Sequence, residues 1–165
     1  MLQHSCSPKA KNMNITLTYE ALYATVERSL SVIGKRSTDD DGNLLFTDIT
    51  LSSREVPIIH DYFRQAVIDL AAGLSGFITA GSDTSITLTF PSNHNAALDS
   101  FIQKSCEAYC TSFALYSWFT VTAPRIAEKY QTDCNRQLSA VIRLSHEKLA
   151  PNGTADILST STSIT

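Results

Sequence analysis

Residues 116–130 read YSWFTVTAPRIAEKY, and this stretch decides how the C-terminal half of the chain is arranged. The β-branched Thr120, Val121 and Thr122 disfavour continuing a helix, and Pro124 pushes Ala123 toward extended geometry. Thr122 is placed to cap a new helix. The stretch therefore reads as a corner where one long helix turns back on another, not as the wall of a reactive site. Tyr116, Trp118 and Phe119 bring large apolar area to that corner, with phenol and indole groups that need polar partners at its edge. Core packing and an intersubunit contact are both open to them.

Before the corner, Leu98, Phe101, Ile102, Tyr109, Phe113 and Tyr116 form a helical stripe over Asn95–Phe119, widened by Cys106 and Trp118. After it, Ile126, Tyr130, Cys134, Leu138, Val141, Ile142 and Leu149 carry another helix to about Ala150, where Pro151-Asn152-Gly153 stops it. Near the start of the chain, Thr18 is a good N-cap for a helix with Tyr19, Leu22, Tyr23, Val26, Leu30 and Ile33 on one face, ending near Gly34. Ser52 and Glu55 make a capping box for a further helix, in which Val56, Ile59, Phe63, Val67, Leu70, Leu74 and Phe77 recur at three- and four-residue steps. Gly73 and Gly76 weaken its last turns and Gly81 closes the corner. Ser85–Phe90, SITLTF, alternates apolar residues with threonines like a half-buried strand stopped by Pro91. A strand needs a partner, and the candidates are Asn14–Leu17, Leu44–Ile49 or a strand of another subunit.

The expected fold is mainly α: a four-helix-bundle-like domain over residues 14–150 with a short β-strand or hairpin segment. A flexible N-terminal arm over 1–13 and a flexible Ser/Thr-rich tail over 151–165 flank it. In that tail, Ile157, Leu158 and Ile164 are placed to dock into a neighbour.

At 165 residues and 43% hydrophobic content the chain is about one domain long. A net charge of −3 argues against general affinity for phosphate backbones, so no sequence-specific nucleic-acid binding is expected. No apolar run approaches the ~20 residues that span a bilayer, and MLQHSCSPKAKNMN lacks the apolar segment of a secretory signal. The expectation is a soluble protein made in a cytoplasm, with no membrane partner and with Cys6, Cys106, Cys110 and Cys134 as thiols.

Chemical machinery is not evident. Between Thr38 and Asp61 six acidic residues face the single Arg54, which reads as a solvated acidic loop. A calcium-binding loop starting at Asp39 would need a glutamate at its twelfth position, where Thr50 stands. Cys106, Cys110 and Cys134 with His94 can be drawn as a zinc set, but Cys-x₃-Cys within a helix is a weak match to structural zinc. His60 and Asp61 are adjacent in a helix and so point in different directions. No nucleophile elbow, phosphate-cradling Gly-rich loop or His-Glu-x-x-His sequence is present. No catalytic, cofactor-binding or metal-binding residue is assigned and no cofactor is expected. Arg125, Lys129, Arg136, Arg143 and Lys148 give the last helix a slight positive excess, which suits either a solvated face or docking on the acidic stretch of a neighbouring copy.

The order of elements resembles that of the head-tail connector (adaptor, or head-completion) proteins of long-tailed bacteriophages. The resemblance rests on "ALYSWF" at Ala114–Phe119, followed by Pro124 and the "AEKY" restart ending at Tyr130, and covers roughly residues 18–150. It implies a non-enzymatic virion protein at the neck, in a homo-oligomeric ring that is commonly twelve-fold. The ring would sit between the portal protein and the tail or neck proteins and let DNA pass. The candidate interface residues are Tyr116, Trp118, Phe119, Pro124 and Tyr130, with Ile157, Leu158 and Ile164 of the tail. The alternatives are another tail-completion virion protein or a cytosolic helical protein-interaction module.

Overall fold

In KNMNIT, Met13 and Ile15 are buried while Asn12, Asn14 and Thr16 face solvent, the two-residue period of a strand with one face on a core. This is β1, Lys11–Thr16, in a computed structural model that describes residues 11–34, 41, 43, 51–82 and 84–148. SITLTF forms β3, Ser85–Phe90, which buries Ile86, Leu88 and Phe90 and pairs antiparallel with β1 from Lys11↔Phe90 to Thr16↔Ser85. On its other side β3 pairs with β2, Ile78–Gly81, so the sheet order is β1-β3-β2. The register of β2 shifts between Ile78 and Ala80.

Four helices complete the described fold: α1, Tyr19–Gly34; α2, Val56–Gly73; α3, Asp99–Thr122; and α4, Pro124–His146. Leu22, Val26 and Leu30 of α1, and Ile59, Phe63, Ala66, Val67 and Leu70 of α2, are buried. They join the sheet's apolar face and Ile102, Cys106, Tyr109, Cys110 and Phe119 of α3 in one core. α3 and α4 are each about 35 Å long at 1.5 Å per residue and pack against each other along their length. The chain is thus mostly helical with a small antiparallel sheet. No helix is long and apolar enough to cross a membrane among the described residues.

Several expectations change in detail. β1 begins at Lys11, so residues 11–13 belong to the sheet and not to the arm expected over 1–13. β1 extends the Asn14–Leu17 candidate and is the partner that β3 requires, while Leu44–Ile49 lies outside the described residues. α2 stops at Gly73; Leu74 and Phe77 prolong its apolar spacing through turns before the unanticipated β2. The capping box forms by half: the Ser52 N–H donates to Glu55 Oε2 at 2.6 Å. Phe101 projects outward at 57% exposure although the stripe assigns it inward. A 3₁₀ turn, Ala96–Leu98, held by Asn95, precedes α3 and sets that phase.

The corner itself is tighter than its β-branched run suggests. Thr120 Oγ1 donates to the Tyr116 carbonyl at 2.7 Å and Thr122 Oγ1 to that of Trp118 at 3.0 Å, so both threonines remain helical. Thr122 therefore does not cap α4. Ala123 alone breaks the helix, at φ −155° and ψ 77°, as the following proline demands. α4 ends at His146, short of Ala150, and Lys148 forms an isolated antiparallel backbone bridge with His94.

Candidate functional site

The turn at Ala123 folds α4 back so that Tyr130 meets Phe119. Their rings stack at 5.8 Å between centroids and 14° between planes. Phe119 is fully enclosed, and Tyr116 and Trp118 are half-buried against the same core. Pro124 opens α4 on the surface. Burial raises the Tyr130 phenol above its ordinary pKa and the charge of Asp133 adds to the effect, so this ring is a neutral packing group. Five of the predicted residues are thus gathered at one corner. Ile157, Leu158 and Ile164 lie outside the described residues.

Beside this corner, α1 and α4 bound a cleft of about 460 Å³. Val32, Ile33, Ile126 and Tyr130 form its apolar part and Arg28 and Lys129 its basic part, with Ser29 completing the lining. Among the described residues no acidic side chain lines it. Lys129 Nζ stands 5.5 Å from the Tyr130 ring centroid, within cation–π range. Val32 is 47% exposed, a large β-branched side chain left in water at the mouth of a ready-made groove. Helical periodicity assigns Ile33 inward and passes over Val32, so the cleft is legible only once α4 is laid across α1.

A second constellation lies where the sheet meets the ends of α3 and α4. Asp99 accepts from Lys11 Nζ on Oδ2 and lies 2.9 Å from His94 Nε2 on Oδ1. Burial alone would raise the Asp99 carboxyl, but the bonds from Lys11 and His94 outweigh it and hold the group below the usual carboxylate range. With Asp99 ionised, His94 Nε2 is the donor in this bond. His94 also stacks on Phe90 at 3.9 Å and 10°. Among the described residues its Nδ1 and the Oγ of Ser145 are both buried without a hydrogen-bond partner, and both residues line a pocket of about 290 Å³ with Phe77, Pro91, His146 and Lys148. The sequence gives no sign of this cluster, because Lys11, His94, Asp99 and Ser145 meet only through the sheet register and the α3–α4 turn.

The cysteines are spent on packing. Cys106 and Cys110, one turn apart on α3, and Cys134 on α4 are buried free thiols. Burial pushes Cys106 and Cys134 up to about 12, with Glu107 and Asp133 respectively adding to the shift, and pushes Cys110 up as well. They are thiols and not thiolates at physiological pH, unsuited as nucleophiles. His94, drawn above as their fourth metal ligand, is instead engaged with Asp99 and Phe90. No three His, Cys, Asp or Glu side chains are grouped to hold a metal among the described residues. His60 and Asp61 diverge as expected: His60 stacks on Tyr19 at 5.1 Å, and Asp61 accepts from Arg64 at 2.7 Å.

No protein-family model, curated protein or solved structure matches this chain.

Proposed function

We propose that this chain is a non-enzymatic structural protein of a bacteriophage virion, forming a homo-oligomeric ring at the neck that joins the portal to tail components and lets DNA pass. In this reading the four helices act as a bundle with α3 at its centre, and their outer surfaces are the contact surfaces between subunits.

One observation carries the reading beyond the resemblance of the corner sequence. Large apolar side chains stand in water on separate elements: Val32 at 47% exposure, Ile58 at 43%, Ile68 at 59%, Phe101 at 57% and Val121 at 79%. A cyclic ring with head-to-tail contacts buries two different faces of each subunit, whereas a twofold dimer buries one face twice. Apolar side chains dispersed over α1, α2 and both ends of α3 suit the first arrangement. The net charge of −3 suits a channel through which DNA must slide without being held.

A protein-interaction module with a single partner is the second reading. It is favoured by a groove of about 340 Å³ in which Val67, Ile68 and Ala71 of α2 face Ile78 and Ile86 of the sheet.

Electron microscopy of particles made with and without this chain separates the readings. The neck reading expects DNA-filled heads without joined tails when the chain is missing, and a ring of added density below the portal when it is supplied. Intact, infectious particles in its absence contradict the neck role.

A further inference from the structure

The pocket between the sheet and the end of α4 is lined by two residues whose side-chain polar atoms have no hydrogen-bond partner among the described residues, His94 Nδ1 and Ser145 Oγ. His94 is 5% exposed and Ser145 2%, so both are closed to bulk solvent. A buried polar atom left unpaired costs free energy. Two of them at one pocket point to a polar group that enters it.

The site is formed in advance of any ligand. His94 is fixed by Asp99 on Nε2 and by the face of Phe90, and its backbone bridges to that of Lys148. Ser145 stands in the last turn of α4.

The chemistry of the lining narrows what fits. Ser145 Oγ donates and accepts, and the role of His94 Nδ1 follows the protonation of the ring. A ligand hydroxyl, which also donates and accepts, matches the pair in either state. Charge selects against an ion, because the pocket carries one cation, Lys148, and one anion, Glu147, which lies 3.8 Å from Arg143. The remaining walls are flat and largely apolar: Phe77 meets the His146 ring at 4.8 Å between centroids, and Pro91 adds a third ring. A volume of about 290 Å³ is at the small end for a ligand pocket.

We propose that this pocket binds a single neutral sugar residue, with a C–H face against Phe77 and Pro91 and one hydroxyl bonded to His94 Nδ1 and Ser145 Oγ. Further hydroxyls reach Glu147 and Lys148 at the rim. This activity goes beyond the neck reading and does not depend on it.

Titration of the full-length chain with glucose, galactose, mannose and N-acetylglucosamine, followed by amide NMR shifts, tests the proposal. At least one sugar is expected to move the amides of Phe77, Ser145 and His146 saturably, while acetate, phosphate and ammonium do not. Ser145→Ala should bind that sugar roughly tenfold more weakly, the loss of about one hydrogen bond. The same variant should melt at or above the wild-type temperature, because it removes a buried hydroxyl that the unliganded fold leaves unpaired. A methyl glycoside and an oligosaccharide ending in the same residue then identify the source: both bind if the pocket takes the end of a glycan, and the free sugar alone binds if it takes a small metabolite.

The proposal is contradicted if no sugar gives saturable shifts, if only the ions do, or if Ser145→Ala binds as wild type does. A clear fall in the melting temperature of Ser145→Ala also contradicts it, since the hydroxyl is then bonded within the native packing.

Discussion

His94 and Asp99 are bound to each other across five residues of sequence, Nε2 to Oδ1 at 2.9 Å, at the point where β3 gives way to α3. Because the other oxygen of Asp99 holds Lys11, a single carboxylate ties the first strand to the start of the longest helix. The imidazole, flat against Phe90, closes that end of the core.

This latch has a pH signature. Asp99 is held below its ordinary value in the folded chain, so its stabilising contribution is complete above the unfolded carboxylate value of about 3.9 and is lost as pH falls through the lower folded value. Lys11→Met removes a principal cause of the lowering and should cost about 1 kcal/mol near pH 7, since the lysine is partly exposed. The difference between variant and wild type in urea titrations should shrink toward zero below about pH 4. A difference that stays constant from pH 7 to pH 3 contradicts the latch.

The aromatic corner separates a core residue from a surface-capable one. Phe119→Ala empties a fully enclosed site and should lower stability by about 3–5 kcal/mol. Trp118→Ala should cost less, because the indole is only partly buried. If Trp118 also meets a neighbour, its variant weakens association under conditions where the monomer is fully folded. Equal thermal losses for the two variants refute this division.

The three described cysteines should behave as interior groups. In native protein Cys106, Cys110 and Cys134 should resist a thiol reagent at neutral pH and react together on unfolding, because burial keeps them protonated and enclosed. Rapid labelling of any of the three, read by peptide mass spectrometry, contradicts the packing of α3 on α4.

For the tail, deletion of residues 151–165 should leave a soluble helical chain that assembles less well on the portal, since Ile157, Leu158 and Ile164 are the apolar groups it offers. A truncated chain that completes infectious particles at wild-type yield refutes that role.

Much of this fold is legible in the residues, and the parts that are not have identifiable causes. Helical stripes locate α1, α2, α3 and α4 because burial of one face imposes three- and four-residue steps. Alternation locates β3 for the corresponding reason. β2 is hidden because Leu74 and Phe77 continue the rhythm of α2 after its backbone has turned, and ITAG is too short to announce a strand. The corner is legible through Pro124, yet its β-branched run misleads, since threonine hydroxyls bond back to the carbonyls of the preceding turn and keep the helix intact. Phe119 and Tyr130 are identifiable as large apolar residues near that corner. The cleft with Arg28 and Lys129 and the latch at Asp99 are not, because each is assembled from elements distant in sequence.

The most direct test of the central claim is a mass measurement of the purified full-length chain over a range of concentrations, with and without portal. A subunit built for a neck ring should form one closed oligomer of defined mass, visible as an annulus in micrographs. A strictly monomeric chain with no affinity for portal or any neck component contradicts it.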